Sequence, residues 1–120
     1  ITAKAEYLGG AIAPGVTVAA DALYHAASQL RRVELEAPER AIGRNNVEAL
    51  QSGLVFGYVG LVEGMIRRFV AELADPDPKD VKVIATGGLA RVIADQTDLF
   101  TAVDEDLTLT GLRLLYERIS

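Results

Sequence analysis

Thr86-Gly87-Gly88 is the first place in this sequence where residue types and spacing suit a ligand. A strand that ends in Thr-Gly-Gly and opens a helix lies at the carboxyl edge of a sheet, where α/β proteins bind their ligands. Glycines let a ligand approach the backbone, and the helix start offers free amides to an anion. Alone the pattern is weak, since Gly-Gly after a strand is more often only a turn. A second cluster is Gly9-Gly10-Ala11-Ile12-Ala13-Pro14-Gly15. It is either a backbone wall beside a phosphate or partner strand, or a bulged strand closed by a Pro-Gly turn; spacing favours the latter. Asp104-Glu105-Asp106 could attract a metal, yet consecutive acids more often face solvent or favour a helix start. His25, the one histidine, lies off the apolar face of its helix and is placed to pair with Asp21 one turn back. It has no visible catalytic partner, and Ser28 and Ser52 have no base nearby in sequence.

These residues need elements to position them. Residues 6–13 read as a strand, with Ile1-Thr2 as the end of an antiparallel partner across Ala3-Lys4-Ala5. Residues 16–30 carry apolar side chains at helical spacing. Residues 31–44, with Pro38 and Gly43, form a connection with a short extended piece at 33–35. Asn45-Asn46-Val47-Glu48 reads as a helix start, because an Asn side chain can cap free amides and a Glu three residues on can answer it. That helix should run to about Leu73, apolar almost all round in its middle and so buried on several sides. Gly53, Gly57, Gly60 and Gly64 share one stripe, each costing about 1 kcal/mol relative to alanine. The stripe predicts a closely packed backbone or helix. Asp75-Pro76-Asp77-Pro78 breaks the chain. Residues 81–85 form a strand, 89–94 a helix, 100–103 a last strand. Residues 106–119 form a terminal helix with Leu107, Leu112, Leu115 and Ile119 inward. The order is α/β in a single domain, residues 1–120.

Composition sets the outer limits. The chain has 120 residues, half of them hydrophobic, enough for a sizeable core. The net charge of −5 supplies no basic patch for nucleic acid; Arg31-Arg32 and Arg67-Arg68 are isolated pairs. With no cysteine, these residues hold no disulfide, zinc-thiolate or thiol chemistry, which is compatible with a reducing cytoplasm. No basic-then-apolar leader follows Ile1. The longest uncharged apolar run, 49–62, falls short of the ~20 residues a membrane span needs. The expectation is a soluble, cytoplasmic protein with no nucleic-acid or membrane partner.

Five segments then carry a resemblance. They are Tyr7-Leu8-Gly9-Gly10-Ala11-Ile12-Ala13-Pro14-Gly15, Ile42-Gly43-Arg44-Asn45-Asn46, Gln51-Ser52-Gly53 leading into Gly57, Ala85-Thr86-Gly87-Gly88, and Leu107-Thr108-Leu109-Thr110-Gly111-Leu112. In that order and at those separations they resemble the C-terminal half of the type III pantothenate kinases, over essentially all 120 residues. Some members of that family are also named Bvg accessory factor homologues.

The resemblance implies a ribonuclease-H-like lobe of the acetate and sugar kinase/Hsp70/actin superfamily, two of which clasp ATP. It implies phosphoryl transfer from ATP to pantothenate, giving 4'-phosphopantothenate, the first step of coenzyme A biosynthesis. Such catalysis is mostly positioning and neutralisation of phosphate charge. It implies a homodimer needing Mg2+ or another divalent cation, and K+ or another monovalent cation. Thr86, Gly87 and Gly88 match the family's adenosine-side turn, and Gly9 and Gly10 the strand beside the nucleotide cleft. Asn46 stands where the family usually has a threonine that contacts pantothenate across the dimer interface; a helix cap is the other reading of Asn46. Thr110 stands where an acidic residue is common. The family's catalytic aspartate, first phosphate loop and monovalent-cation aspartate fall in the preceding half, so no catalytic residue is assigned here. The lobe's strand order is 3-2-1-4-5, and this chain matches the end of strand 2 and strands 3, 4 and 5. The first strand, which belongs in the middle, is missing. Unpaired buried backbone is costly, so the expectation is a longer polypeptide whose N-terminal half is this segment's partner. The alternative function is a non-catalytic regulator that keeps the kinase fold.

Overall fold

The computed structural model describes residues 1–73 and 77–120. The Asp75-Pro76 part of the expected chain break lies outside the described residues. Asp77 opens a single 3-10 turn, Pro78–Asp80, its carboxylate accepting the Lys79 N–H at 3.0 Å.

One continuous helix, Asn46–Glu72, organises the chain. It divides into α2 (Asn46–Gln51), a π-helical turn (Ser52–Phe56) and α3 (Gly57–Glu72). The start and the length agree with the capping signal and the apolar pattern. The π turn has no counterpart in that pattern: the Gly57 N–H reaches back to the Ser52 carbonyl. Such turns widen a helix locally and are frequent at functional sites. Here the turn sits where packing is densest, with Leu54 and Val55 buried beside Leu50 of α2. Helix α1 (Val16–Ala26) adds Ala20 to this core, and α4 (Ala90–Ala94) adds Ala90. Val55, only 1% exposed, is its most enclosed side chain.

Helix α1 stops before the predicted Leu30. Ala27 is extended, with φ −130°, and the chain doubles back across the helix. Arg32 pairs with Asp21 at 2.8 Å and lies over the Tyr24 ring, while the Tyr24 hydroxyl accepts the Val33 N–H. These tertiary contacts override the helical pattern of residues 27–30.

Strands β1 (Ile84–Ala85) and β2 (Ala102–Val103) pair in parallel, Ile84 with Ala102 and Ala85 with Val103. With α4 between them they form a βαβ unit, so the chain is α/β with a parallel pair. Both strands are shorter than expected. The Thr101 hydroxyl takes the Val83 N–H, putting a side chain where the next ladder bond would lie.

The expected strand 6–13, its Ile1-Thr2 partner and the short extended piece at 33–35 form no strand among the described residues. Residues 6–13 form no ladder; only the Ala3-Lys4 turn is bonded, by Thr2 N–H to Glu6 and Ala5 N–H to Thr2. A strand exists through its partner's hydrogen bonds, and Gly9 at φ +116° also interrupts a β backbone. Residues 33–35 are tied instead to α2, by the Gln51 side chain donating to the Glu34 carbonyl.

Two packing expectations also fail. A Cβ at Gly53, Gly57, Gly60 or Gly64 would meet nothing within 4 Å, so the glycine stripe faces open space instead of a neighbour. Helix α5 (Leu107–Ile119) turns nothing inward: Leu107, Leu112, Leu115 and Ile119 are all exposed. The chain's accessible surface is 9309 Å², against ~6,300 Å² for a self-contained globule of this mass. Its radius of gyration is 17.2 Å, against about 14 Å. These 120 residues therefore carry more apolar surface than they cover. By length and composition alone, Asn46–Glu72 could cross a membrane. Its π turn packs on α1 and α4 and Glu63 accepts from the Thr97 hydroxyl, but no residue of α3 is buried, against the several buried sides expected.

Candidate functional site

The turn after β1 is built by backbone. Gly87 adopts φ +96°, a conformation that L side chains avoid. Its carbonyl accepts the Ala90 N–H at 3.1 Å, which starts α4, and the Asp104 N–H holds the Ala85 carbonyl at 2.9 Å. Thr86, Gly87 and Gly88 are all exposed, and a Cβ on either glycine would meet nothing within 4 Å. The turn thus lies at the carboxyl end of a parallel pair, open and lined by main chain, as a strand-to-helix ligand site requires.

The acidic run lies beside that turn and is locally occupied. Asp104 accepts the Asp106 N–H at 3.0 Å, and Glu105 pairs with Arg91 of α4 at 2.6 Å. The run immediately precedes α5, whose N-cap Asp106 makes no side-chain cap bond. Among the described residues no three His, Cys, Asp or Glu side chains converge on a metal ion.

Gly9 and Gly10 line a groove of about 700 Å³. Its opposite wall is residues 81–84, which lead into the Thr86-Gly87-Gly88 turn, and Ile66, Phe69 and Val70 of α3 also line it. The Tyr58 hydroxyl donates to the Pro14 carbonyl at 2.6 Å and anchors the glycine loop to α3. The turn and the two glycines therefore flank one strand from different positions and share no cavity among the described residues.

Asn46 stands elsewhere, at the head of α2. The cap itself is Asn45, whose side-chain oxygen accepts the Glu48 N–H at 2.9 Å. Glu48 answers through the Arg44 N–H at 2.8 Å and the Asn45 amide at 3.0 Å. The cap reading of Asn46 gives way to Asn45, and the Asn46 side chain is exposed with no hydrogen bond among the described residues. Asn45→Ala should cost about 1 kcal/mol, read as a lower denaturant midpoint at unchanged slope.

Sequence reasoning missed what seats this loop. A Cβ on Gly43 would fall against the Ala49 nitrogen and 2.6 Å from the Glu48 carbonyl carbon. The Ser52 hydroxyl also donates to the Ala41 carbonyl. A lone glycine in an irregular segment gives no signal of close approach. The remaining candidates have structural uses. His25 Nδ1 donates to the Asp21 carbonyl at 2.8 Å, while the Asp21 carboxylate goes to Arg32. Ser28 sits in the turn after α1.

The chain is similar to known proteins over nearly all of its length. A family model described as type III pantothenate kinase matches residues 1–68. The chain is 53% identical to a type III pantothenate kinase of Roseiflexus castenholzii over 98% of its own length and 44% of the relative's. It is 52% identical to "Type III pantothenate kinase 2" of Symbiobacterium thermophilum, at 98% and 44% coverage. A type III pantothenate kinase of Anaeromyxobacter sp. (strain K) is 53% identical, at 98% and 45%. The chain thus spans less than half the length of these curated relatives.

Proposed function

The chain belongs to the type III pantothenate kinase family, and from that premise we propose that it is the C-terminal part of an ATP-dependent kinase phosphorylating pantothenate. The observation that carries this reading is 53% identity over 98% of the chain, which includes the open Thr86-Gly87-Gly88 turn at the carboxyl end of β1. In this reading the turn receives the adenosine side of ATP through its main chain. Gly9 and Gly10 line a separate groove on the other side of residues 81–84, and their place beside the nucleotide is proposed on the family likeness alone. The described residues bring no metal-binding set together, so no step is assigned here to the divalent or monovalent cation. Transfer itself belongs to the other part of the protein; this chain binds and orients.

The same reading makes the chain most of one ribonuclease-H-like lobe, residues 1–120, in a cytoplasmic homodimer. The groove between Leu8-Gly9-Gly10 and residues 81–84 supports a central strand supplied by the N-terminal half. The uncovered faces of α5 and of the glycine stripe support burial against that half or a second subunit, with Asn46–Glu72 as an interior helix.

The free Asn46 side chain is the proposed pantothenate contact. In the complete protein Asn46→Ala should raise the KM for pantothenate about fivefold, the worth of one hydrogen bond, with the KM for ATP unchanged. Asn46→Thr should restore it. Equal pantothenate KM in all three forms would remove Asn46 from the substrate site.

A further inference from the structure

The Arg91–Glu105 ion pair spans the mouth of the βαβ unit, joining the first turn of α4 to the segment after β2. Apart from Ala90, which α4 packs against the π turn, little else holds that mouth. Helix α4 has five residues and no side-chain cap, and each strand has two. Two backbone bonds, Ala90 N–H to Gly87 and Asp104 N–H to Ala85, fix the turn itself. Among the described residues Arg91–Glu105 is the one polar side-chain contact between α4 and the segment after β2. Glu105 is itself set in place, because the Asp104 carboxylate accepts the Asp106 N–H and shapes the backbone around it.

We propose that Glu105 is a positioning residue for the nucleotide: by holding Arg91 it fixes α4, and with it the Gly87-Gly88 main chain that faces ATP. The proposal rests on the nucleotide reading of that turn. Both partners are well exposed, 70% and 44%, so the pair adds little to global stability. Its effect falls on the geometry of a turn that few other contacts define.

The test uses the complete protein and separates KM from kcat. Glu105→Gln should raise the KM for ATP about two- to fivefold, the range an exposed ion pair can supply. The kcat and the KM for pantothenate should stay as they are. Exchanging the charges, Arg91→Glu with Glu105→Arg, should restore the KM for ATP. The variant-to-parent ratio should shrink toward one at about 1 M salt, where the screening length falls to ~3 Å. An unchanged or lower KM for ATP would overturn the proposal, the latter meaning that the released Arg91 attracts phosphate. A loss shared by kcat and both KM values would overturn it too, as a merely structural effect. Gly87→Val separates this failure from that of the parent reading. If Gly87→Val weakens ATP and Glu105→Gln does not, only the positioning role fails. If neither changes ATP binding, the nucleotide reading fails with it.

Discussion

Gly43→Ala should destabilise the protein by about 3 kcal/mol, the upper part of the range for overpacking a close contact. The new methyl group would lie under 3.0 Å from the Ala49 nitrogen, the Glu48 carbonyl carbon and the Ala49 Cα. All three are backbone atoms in the first turns of a long helix, so none can yield as a flexible side chain would. The loop must lift instead. Lifting it breaks the Arg44 N–H bond to Glu48 and the Ser52 bond to the Ala41 carbonyl, which hold the same segment. Asn46 follows closely on this loop, so the KM for pantothenate should rise with the loss of stability. Chemical denaturation gives the stability change, and steady-state kinetics the substrate effect. Parental stability in Gly43→Ala would show that the loop does not sit against α2 as described.

Gly87→Val should weaken ATP binding about tenfold or more without changing the KM for pantothenate. No atom lies within 4 Å of a Cβ at this position, so the effect does not start from a clash of the added Cβ. It comes from the backbone, since φ is +96°. Holding an L residue at positive φ costs about 1–2 kcal/mol, and a β-branched residue fits worse than alanine. The turn should relax to negative φ, which moves the Gly87 carbonyl off the Ala90 N–H and turns the Gly88 amide away. Each ~1.4 kcal/mol lost from the bound state is a factor of ten in affinity. Parental ATP affinity in Gly87→Val would mean that the turn is only a connection between β1 and α4.

Local signals in the sequence were legible wherever the chain satisfies them by itself. Asn45 and Glu48 mark the head of the Asn46–Glu72 helix, because a cap needs only residues within one turn. The β-branched run before Thr86 and the two glycines after it mark β1, the turn and α4 for the same reason. The misses need partners. Residues 6–13 have strand composition and no strand to bond with among the described residues. Helix α5 has a Leu-rich face, with Leu109, Leu112 and Ile119 exposed, and the stripe of Gly53, Gly57, Gly60 and Gly64 is equally bare. Periodicity says that such faces are meant to be covered; it does not say that the cover lies in the same 120 residues. The site shows the same division. Thr86-Gly87-Gly88 was readable as a turn, whereas the Gly43 contact and the Arg91–Glu105 pair join residues whose meeting leaves no mark in spacing.

Phosphoryl transfer by the complete protein that carries this chain tests the account most directly. ATP and pantothenate are supplied with saturating magnesium and potassium, and phosphorus NMR follows the products. The account predicts that ADP and 4'-phosphopantothenate accumulate in equal amounts, and that omitting ATP or pantothenate abolishes the signal. No turnover, in the parental protein and in Asn46→Thr alike, would contradict it and leave the fold serving a non-catalytic regulator.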